Sequence, residues 1–88
     1  MAEGLVNPLK YLKDAVNSLI YVKLKDGSEY VGVLKITDNT MNLILEDVVE
    51  VRGSRQVVAK LGRAIIRGSM VQYISFNPEI AVEQALTG

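Results

Sequence analysis

Two polar turns each contain a side chain suited to binding a ligand: Asn42 follows Asp38 and Thr40 in the first, and Arg67 precedes Gly68 and Ser69 in the second. The amide of Asn42 can both donate and accept hydrogen bonds, so it can read the edge of an unpaired nucleic-acid base. Arg67 offers a positive charge and a flat surface on which a base can stack. Both residues also have a simpler interpretation, because Asn42 could satisfy the backbone of its own turn and Arg67 could pair with a carboxylate. Taken alone, the two turns leave these alternatives open.

The residue types that are missing from the chain argue against catalysis. None of the 88 residues is cysteine or histidine, which excludes disulfides, thiol nucleophiles, imidazole bases and the usual zinc ligand sets. Asp47 and Glu50 lie three residues apart on a predicted strand, so their carboxylates would point to opposite faces. We therefore expect no catalytic residue, no metal site and no cofactor.

The length of the chain allows one small domain. Such a chain buries only about 60–65% of the surface that it exposes when unfolded, so we expect partner subunits to add stability. No apolar run approaches the roughly 20 residues of a membrane-spanning helix, and the N-terminus shows no signal-peptide pattern. Together with the lack of cysteine, these features lead us to expect a cytoplasmic protein with no membrane partner.

The charged residues are segregated along the chain although the formal net charge is zero. Four acidic residues come first: Asp38, Glu46, Asp47 and Glu50. Five basic residues follow them: Arg52, Arg55, Lys60, Arg63 and Arg67. A neutral total counts against a nucleic-acid-binding module that acts alone. The simplest interpretation of the two runs is ion pairing between adjacent strands, from which we except Arg67 because it lies in a turn beside a glycine.

The hydrophobic pattern predicts one helix followed by strands. The helix extends from about residue 7 to residue 17, with Asn7 as its N-cap and Pro8 in its first position. Its apolar face contains Leu5, Leu9, Leu12 and Val16. From residue 19 the period changes to two, and breaks separate five predicted strands over residues 19–25, 29–37, 41–51, 57–66 and 70–76. Asp26-Gly27 predicts a tight hairpin turn, and Gly32 inside the second strand predicts a sharp bend.

The predicted fold is mainly β, with the N-terminal helix followed by a strongly bent five-stranded antiparallel β-barrel over residues 19–76. We assign residues 1–76 to one domain and residues 77–88 to a C-terminal tail that could form a short helix. The predicted strand over residues 70–76 is uncharged and apolar on both faces. As an exposed edge it would promote aggregation, whereas pairing with the next copy of the chain could close a ring.

Two segments resemble the sequence motifs of the Sm and Sm-like protein family. The first consists of residues 22–27 and 30–34, Asp38, residues 41–43 and Glu50. The second consists of residues 62–68, Val71 and residues 73–74. The N-terminal segment Asn7-Pro8-Leu9 is also similar to the family's N-terminal helix, and the resemblance extends over roughly residues 5–76.

This resemblance implies a fold, an assembly and a function. Sm-like chains form a bent five-stranded barrel, and the fourth strand of one subunit pairs with the fifth strand of its neighbour. Rings of six or seven subunits are usual, and we favour a heptamer. The ring is expected to bind single-stranded, uridine-rich RNA around its pore, in RNA processing or ribonucleoprotein assembly. Other RNA-processing proteins are further candidate partners.

The resemblance also implies roles for residues in both turns. Asn42 would hydrogen-bond the edge of uracil, and Arg67 would lay its guanidinium plane against the base. Gly68 would allow close backbone approach, and Asp38 would brace the first turn by hydrogen bonding to Asn42.

Thr40 and Ser69 depart from the family pattern. At the position of Thr40, just before Met41, many relatives carry an aromatic residue or histidine that stacks on the second face of the base, and threonine cannot stack. Relatives often have Asp or Asn in place of Ser69. These departures affect the expected strength and uridine selectivity of the pocket. Because of Thr40 and the zero net charge, a ring that acts as a protein-interaction scaffold with incidental RNA binding is the alternative hypothesis.

Overall fold

The fold is known from a computed structural model that describes residues 8–53 and 56–76. One helix, α1 (Pro8–Asp14), precedes five strands: β1 (Leu19–Leu24), β2 (Glu29–Thr37), β3 (Leu43–Arg52), β4 (Gln56–Ile66) and β5 (Val71–Ser75). A single turn of 3-10 helix, Gly68–Met70, connects β4 to β5. The predicted order of one helix and five strands is confirmed, whereas the N-cap Asn7, Leu5 and the tail over residues 77–88 lie outside the described residues.

Helix α1 ends three residues earlier than predicted. Asn17 has a φ of 72°, a left-handed conformation in which asparagine commonly terminates helices. Its backbone N–H donates to the carbonyl of Leu34 on β2 at 2.7 Å, and its side chain accepts a hydrogen bond from Lys35 at 3.0 Å. These contacts with β2 take residue 17 out of the helix.

The apolar face of α1 packs on the sheet as predicted. Leu12 is completely buried in the main core, and Leu9 and Val16 are half-buried. The helix therefore supplies apolar side chains to the core of the subunit. Among the described residues, no helix is long and apolar enough to cross a membrane.

The five strands form one antiparallel sheet in the order β4-β3-β2-β1-β5. Strand β1 pairs with both β2 and β5, and β3 pairs with both β2 and β4. Strands β4 and β5 therefore form the two edges of the sheet, and within residues 8–53 and 56–76 they do not pair with each other. Each edge leaves backbone groups available to another strand.

The bend predicted at Gly32 is present. The pairing of β2 with β3 shifts register around Gly32, and the pairing of β3 with β4 shifts around Val48. Asp47 and Gly62 adopt positive φ values of 54° and 77° at this bend, as is common at β-bulges. A Cβ atom on residue 32 would lie 2.9 Å from Val48 Cγ2 and 3.1 Å from the carbonyl oxygen of Glu46. Gly32 thus allows β2 to lie close to β3 at the bend.

We expect Gly32→Ala to destabilise the folded subunit by about 1–3 kcal/mol, because the added methyl group overpacks the bend where β2 lies against β3. Thermal unfolding at one fixed protein concentration would measure this loss. Gly27→Ala is the control, since Gly27 has a φ of 94° and open space around it, so that only backbone strain of about 1 kcal/mol is expected there. An unchanged midpoint of thermal unfolding in Gly32→Ala would contradict the close contact between β2 and β3 at Gly32.

The apolar side chains form a core on each face of the bent sheet. The main core contains Leu12, Ile20, Val22, Leu34, Leu43, Leu45, Val48 and Ile66. The second core contains Tyr21, Val31, Val49 and Val51. The Tyr21 hydroxyl donates to Glu29 Oε1 at 2.6 Å, and burial together with this bond raises the pKa of Tyr21 above its usual range. Because of the second core, β1 buries side chains on both of its faces, whereas its alternating sequence predicts one buried face.

Candidate nucleic-acid interface

The turn between β2 and β3 is organised around the carboxylate of Asp38. Asp38 Oδ1 accepts hydrogen bonds from Thr40 N at 2.9 Å, Thr40 Oγ1 at 2.8 Å and Asn42 N at 3.1 Å. Asp38 Oδ2 accepts one from Asn42 Nδ2 at 3.1 Å, so the predicted brace to Asn42 is present. The hydrogen bonds from Thr40, followed by those from Asn42, lower the pKa of Asp38 because they favour its charged form.

Met41 turns the chain between the two exposed polar residues Thr40 and Asn42. It has a φ of 62° and packs half-buried against the main core. We predicted that β3 starts at Met41, but the positive φ delays the strand to Leu43. The sequence carries no signal for this conformation, since methionine rarely adopts positive φ.

The two polar turns meet at Asn42 and Gly68. The backbone N–H of Gly68 donates to Asn42 Oδ1 at 2.8 Å, which connects residues 26 positions apart. A Cβ atom on residue 68 would overlap the carbonyl oxygen of Thr40 and would lie 2.9 Å from the Met41 carbonyl carbon. Gly68 is therefore required for the approach of one turn to the other.

Arg67 and Ser69 are exposed on either side of Gly68. Arg67 has an extended backbone, with φ −75° and ψ 134°, and its carbonyl accepts from Met70 N at 2.9 Å. Within the described part of the chain, no acidic side chain pairs with the guanidinium group of Arg67. Arg67 is thus an exposed cation one residue before the glycine that contacts Asn42.

The other charges partly follow the predicted ion pairing. Arg63 on β4 pairs with Glu46 on β3 at 3.3 Å, while Arg52 lies 3.9 Å from Glu50 on its own strand. We predicted that Arg67 does not take part in this ion pairing, and among the described residues it forms no ion pair. A contact that we did not predict comes from α1, where Lys13 Nζ lies 3.5 Å from Asn39 Oδ1 in the first turn.

An apolar cleft of about 250 Å³ follows β4 towards the start of β5. It is lined by Leu24, Tyr30, Leu61, Ala64, Ile65, Ile66, Arg67 and Met70. Leu61 is 46% exposed and Met70 is 39% exposed, and the half-buried lining residues pack against the main core. The cleft therefore continues the core outwards to the β4 edge, where we expect another strand to pair.

The helix, the bent five-stranded sheet with two open edges and the paired turns define the Sm class of small β-folds. An LSM-domain family model matches residues 10–76. The chain belongs to the LSM-domain family, as its two motifs predicted.

Individual members of the family are similar over most of their length. A U6 snRNA-associated Sm-like protein of Lodderomyces elongisporus is 39% identical over 72 residues, covering 82% of this chain and 89% of that protein. A heptameric archaeal Sm protein has a TM-score of 0.70 and 36% identity, covering 78% of this chain and 98% of the other. The Sm protein of Pyrococcus abyssii in complex with a uridine heptamer has a TM-score of 0.73 and 31% identity, covering 80% and 97%.

The lowered pKa of Asp38 predicts a pH-dependent contribution to stability. A carboxyl whose pKa is lower in the folded state stabilises the fold above its ordinary value of 3.8, and this contribution is lost as pH falls through the lowered pKa. We expect Asp38→Asn to lower the unfolding midpoint at pH 7, and the difference from wild type to shrink towards pH 2. Thermal unfolding between pH 7 and pH 2 measures both. The pKa of Asp26 is also lowered, but Asp26 is present in both proteins and cancels in the comparison. A difference that stays constant with pH would refute the assigned role.

Proposed function

We propose that the protein forms a homo-oligomeric ring that binds single-stranded, uridine-rich RNA at its pore. The contact between Asn42 and Gly68 carries this proposal, because it joins the turn that holds the Asn42 amide to the turn in which Arg67 is exposed. An amide and an arginine plane together can hydrogen-bond a base edge and stack on the base face. Single-stranded RNA presents both surfaces of its bases, whereas a duplex hides them.

Strand pairing between copies is the mode of assembly that we propose. Strand β4 lies at one edge of the sheet and β5 at the other, so β4 of each copy can pair with β5 of the next. This contact is heterologous and closes into a ring when the rotation allows. The apolar cleft along β4 would then be covered by the neighbouring copy. We favour seven subunits, the number stated for the archaeal Sm protein of similar fold.

Assembly also answers the objection that the net charge is zero. One Arg67 from each subunit would lie at the same radius, so that the ring would concentrate positive charge around its pore. The field at the pore would then attract phosphates although the sum over each chain is neutral. We propose no enzymatic activity for the ring, and its role would lie in RNA processing or ribonucleoprotein assembly. A cytoplasmic location stays a prediction from the sequence.

Native mass spectrometry of the full chain, alone and with oligouridine or oligoadenosine, tests this proposal. We expect one closed ring without RNA and a ring with one bound strand in the presence of oligouridine. Oligoadenosine of the same length is the matched control and should bind more weakly. A ring without preference between the two oligomers would favour the protein-interaction scaffold, and a monodisperse monomer at micromolar concentration would overturn the proposed assembly.

A further inference from the structure

All the hydrogen-bond donors of the Asn42 side chain are used inside the protein. One hydrogen bond from Nδ2 is donated to Asp38 Oδ2 at 3.1 Å, and another to Thr40 Oγ1 at 2.9 Å. The side-chain oxygen accepts from Gly68 N at 2.8 Å, which fixes which end of the amide is the oxygen. An amide nitrogen carries two hydrogens, and its oxygen can accept two hydrogen bonds. The side chain of Asn42 is thus left with one free acceptor position and no free donor.

This bonding state limits what Asn42 can recognise on a base. The edge of uracil presents the N3–H donor between the O2 and O4 acceptors. The free lone pair of Asn42 Oδ1 can accept from N3–H without disturbing the turn. A bond to O4, in contrast, requires an amide hydrogen to leave Asp38 or Thr40. Of these two bonds, the one to the Thr40 hydroxyl is weaker, because the bond to the Asp38 carboxylate is charge-assisted.

We propose that Asn42 reads uracil through N3–H alone, because the Thr40 hydroxyl competes with uracil O4 for an amide hydrogen of Asn42. This inference rests on the proposed RNA-binding function and assigns Thr40 a new role in it. Thr40 is a positioning residue that sets the specificity of the pocket through its hydrogen bond from Asn42. Its hydroxyl donates to Asp38 at 2.8 Å while it accepts from Asn42, and this pair of bonds holds it in the competing position.

Two modified bases test the N3–H donor and the O4 acceptor of uracil separately. The full-length ring is titrated with short oligouridine strands that carry one modified base at a central position. 3-Methyluridine lacks N3–H, and 4-thiouridine replaces O4 by sulfur, a weak hydrogen-bond acceptor. For the wild-type protein, we expect 3-methyluridine to weaken binding at least tenfold and 4-thiouridine to change it less than twofold, because Asn42 accepts from N3–H and donates no hydrogen bond to O4.

Thr40→Val and Thr40→Ser test the role of the hydroxyl. Valine has nearly the shape of threonine without its hydroxyl, so it frees an amide hydrogen of Asn42 for O4. The ratio of uridine affinity to 4-thiouridine affinity should then rise to about three- to tenfold, the size of one ordinary hydrogen bond. Serine keeps the hydroxyl, and the ratio should stay near one. The ratio is compared instead of the affinity itself, because a loosened turn would weaken the binding of the unmodified and the modified RNA strand equally.

The possible outcomes separate this inference from the function on which it rests. Wild-type binding that falls equally with both modified bases overturns the N3–H reading and leaves RNA binding in place. A ratio near one in Thr40→Val overturns the competition by the hydroxyl. An intact wild-type ring that binds no unmodified oligouridine overturns the proposed function and this inference together.

Discussion

Arg67→Ala is expected to reduce oligouridine binding nearly to zero while the ring stays intact. Stacking of one base on a planar side chain contributes about 1–3 kcal/mol, and the variant also removes one positive charge from each subunit. We therefore expect each pocket to weaken at least tenfold. The pockets of a ring act on one RNA strand, so the losses multiply along the strand. We expect the variant to keep the stability of the wild type, because Arg67 is exposed and has no acidic partner among the described residues.

The measurement is a titration of oligouridine against wild type and variant at one fixed salt concentration, because phosphate contacts make the affinity depend on salt. Arg63→Ala is the control with the same loss of charge, since Arg63 is exposed and paired with Glu46 at 3.3 Å, away from the two polar turns. Arg67→Lys keeps the charge and removes the flat surface, so it separates stacking from attraction. Unchanged affinity in Arg67→Ala with an intact ring would favour the scaffold hypothesis.

Most of the fold could be predicted from the sequence because its signals are local. Alternation of apolar residues, the Asp26-Gly27 turn and Gly32 within β2 predict five antiparallel strands and their bend. The structure places each strand within about two residues of the predicted bounds. The end of α1 was missed because it depends on a hydrogen bond from Asn17 to Leu34 on another element. Local helix propensity cannot predict a contact with another element.

The residues of the candidate site could be predicted, but their connections could not. The family resemblance pointed to Asn42, Arg67 and Gly68, and the brace from Asp38 to Asn42 was predicted with them. The hydrogen bond to Asn42 Oδ1 comes from Gly68 N, which is 26 positions away in the sequence and follows the neighbouring strand β4, where Ile66 pairs with Leu43. The requirement for glycine at position 68 likewise comes from the carbonyl oxygen of Thr40, not from the turn itself. Both features arise only when the two turns meet.

Leu61→Glu should break the ring into monomers or small oligomers. Leu61 lies on the edge strand β4 and lines the apolar cleft that we expect the neighbouring subunit to cover. In the separate subunit it is 46% exposed, so a glutamate there can stay hydrated. Ring closure would bury that carboxylate without a partner, which costs several kcal/mol at each interface. Charged residues on edge strands prevent pairing between natural sheets for the same reason.

Sedimentation at micromolar concentration measures the loss of assembly, and circular dichroism checks that the subunit remains folded. Leu61→Met is the matched control, because methionine keeps the apolar volume and should keep the ring. We expect the Leu61→Glu protein to lose oligouridine binding as well, although residue 61 lies outside the two polar turns, since separate pockets can no longer act on one strand. A ring of unchanged mass in Leu61→Glu would show that the β4 edge is not the interface. Loss of the ring with unchanged RNA affinity would show instead that one subunit binds RNA without its neighbours.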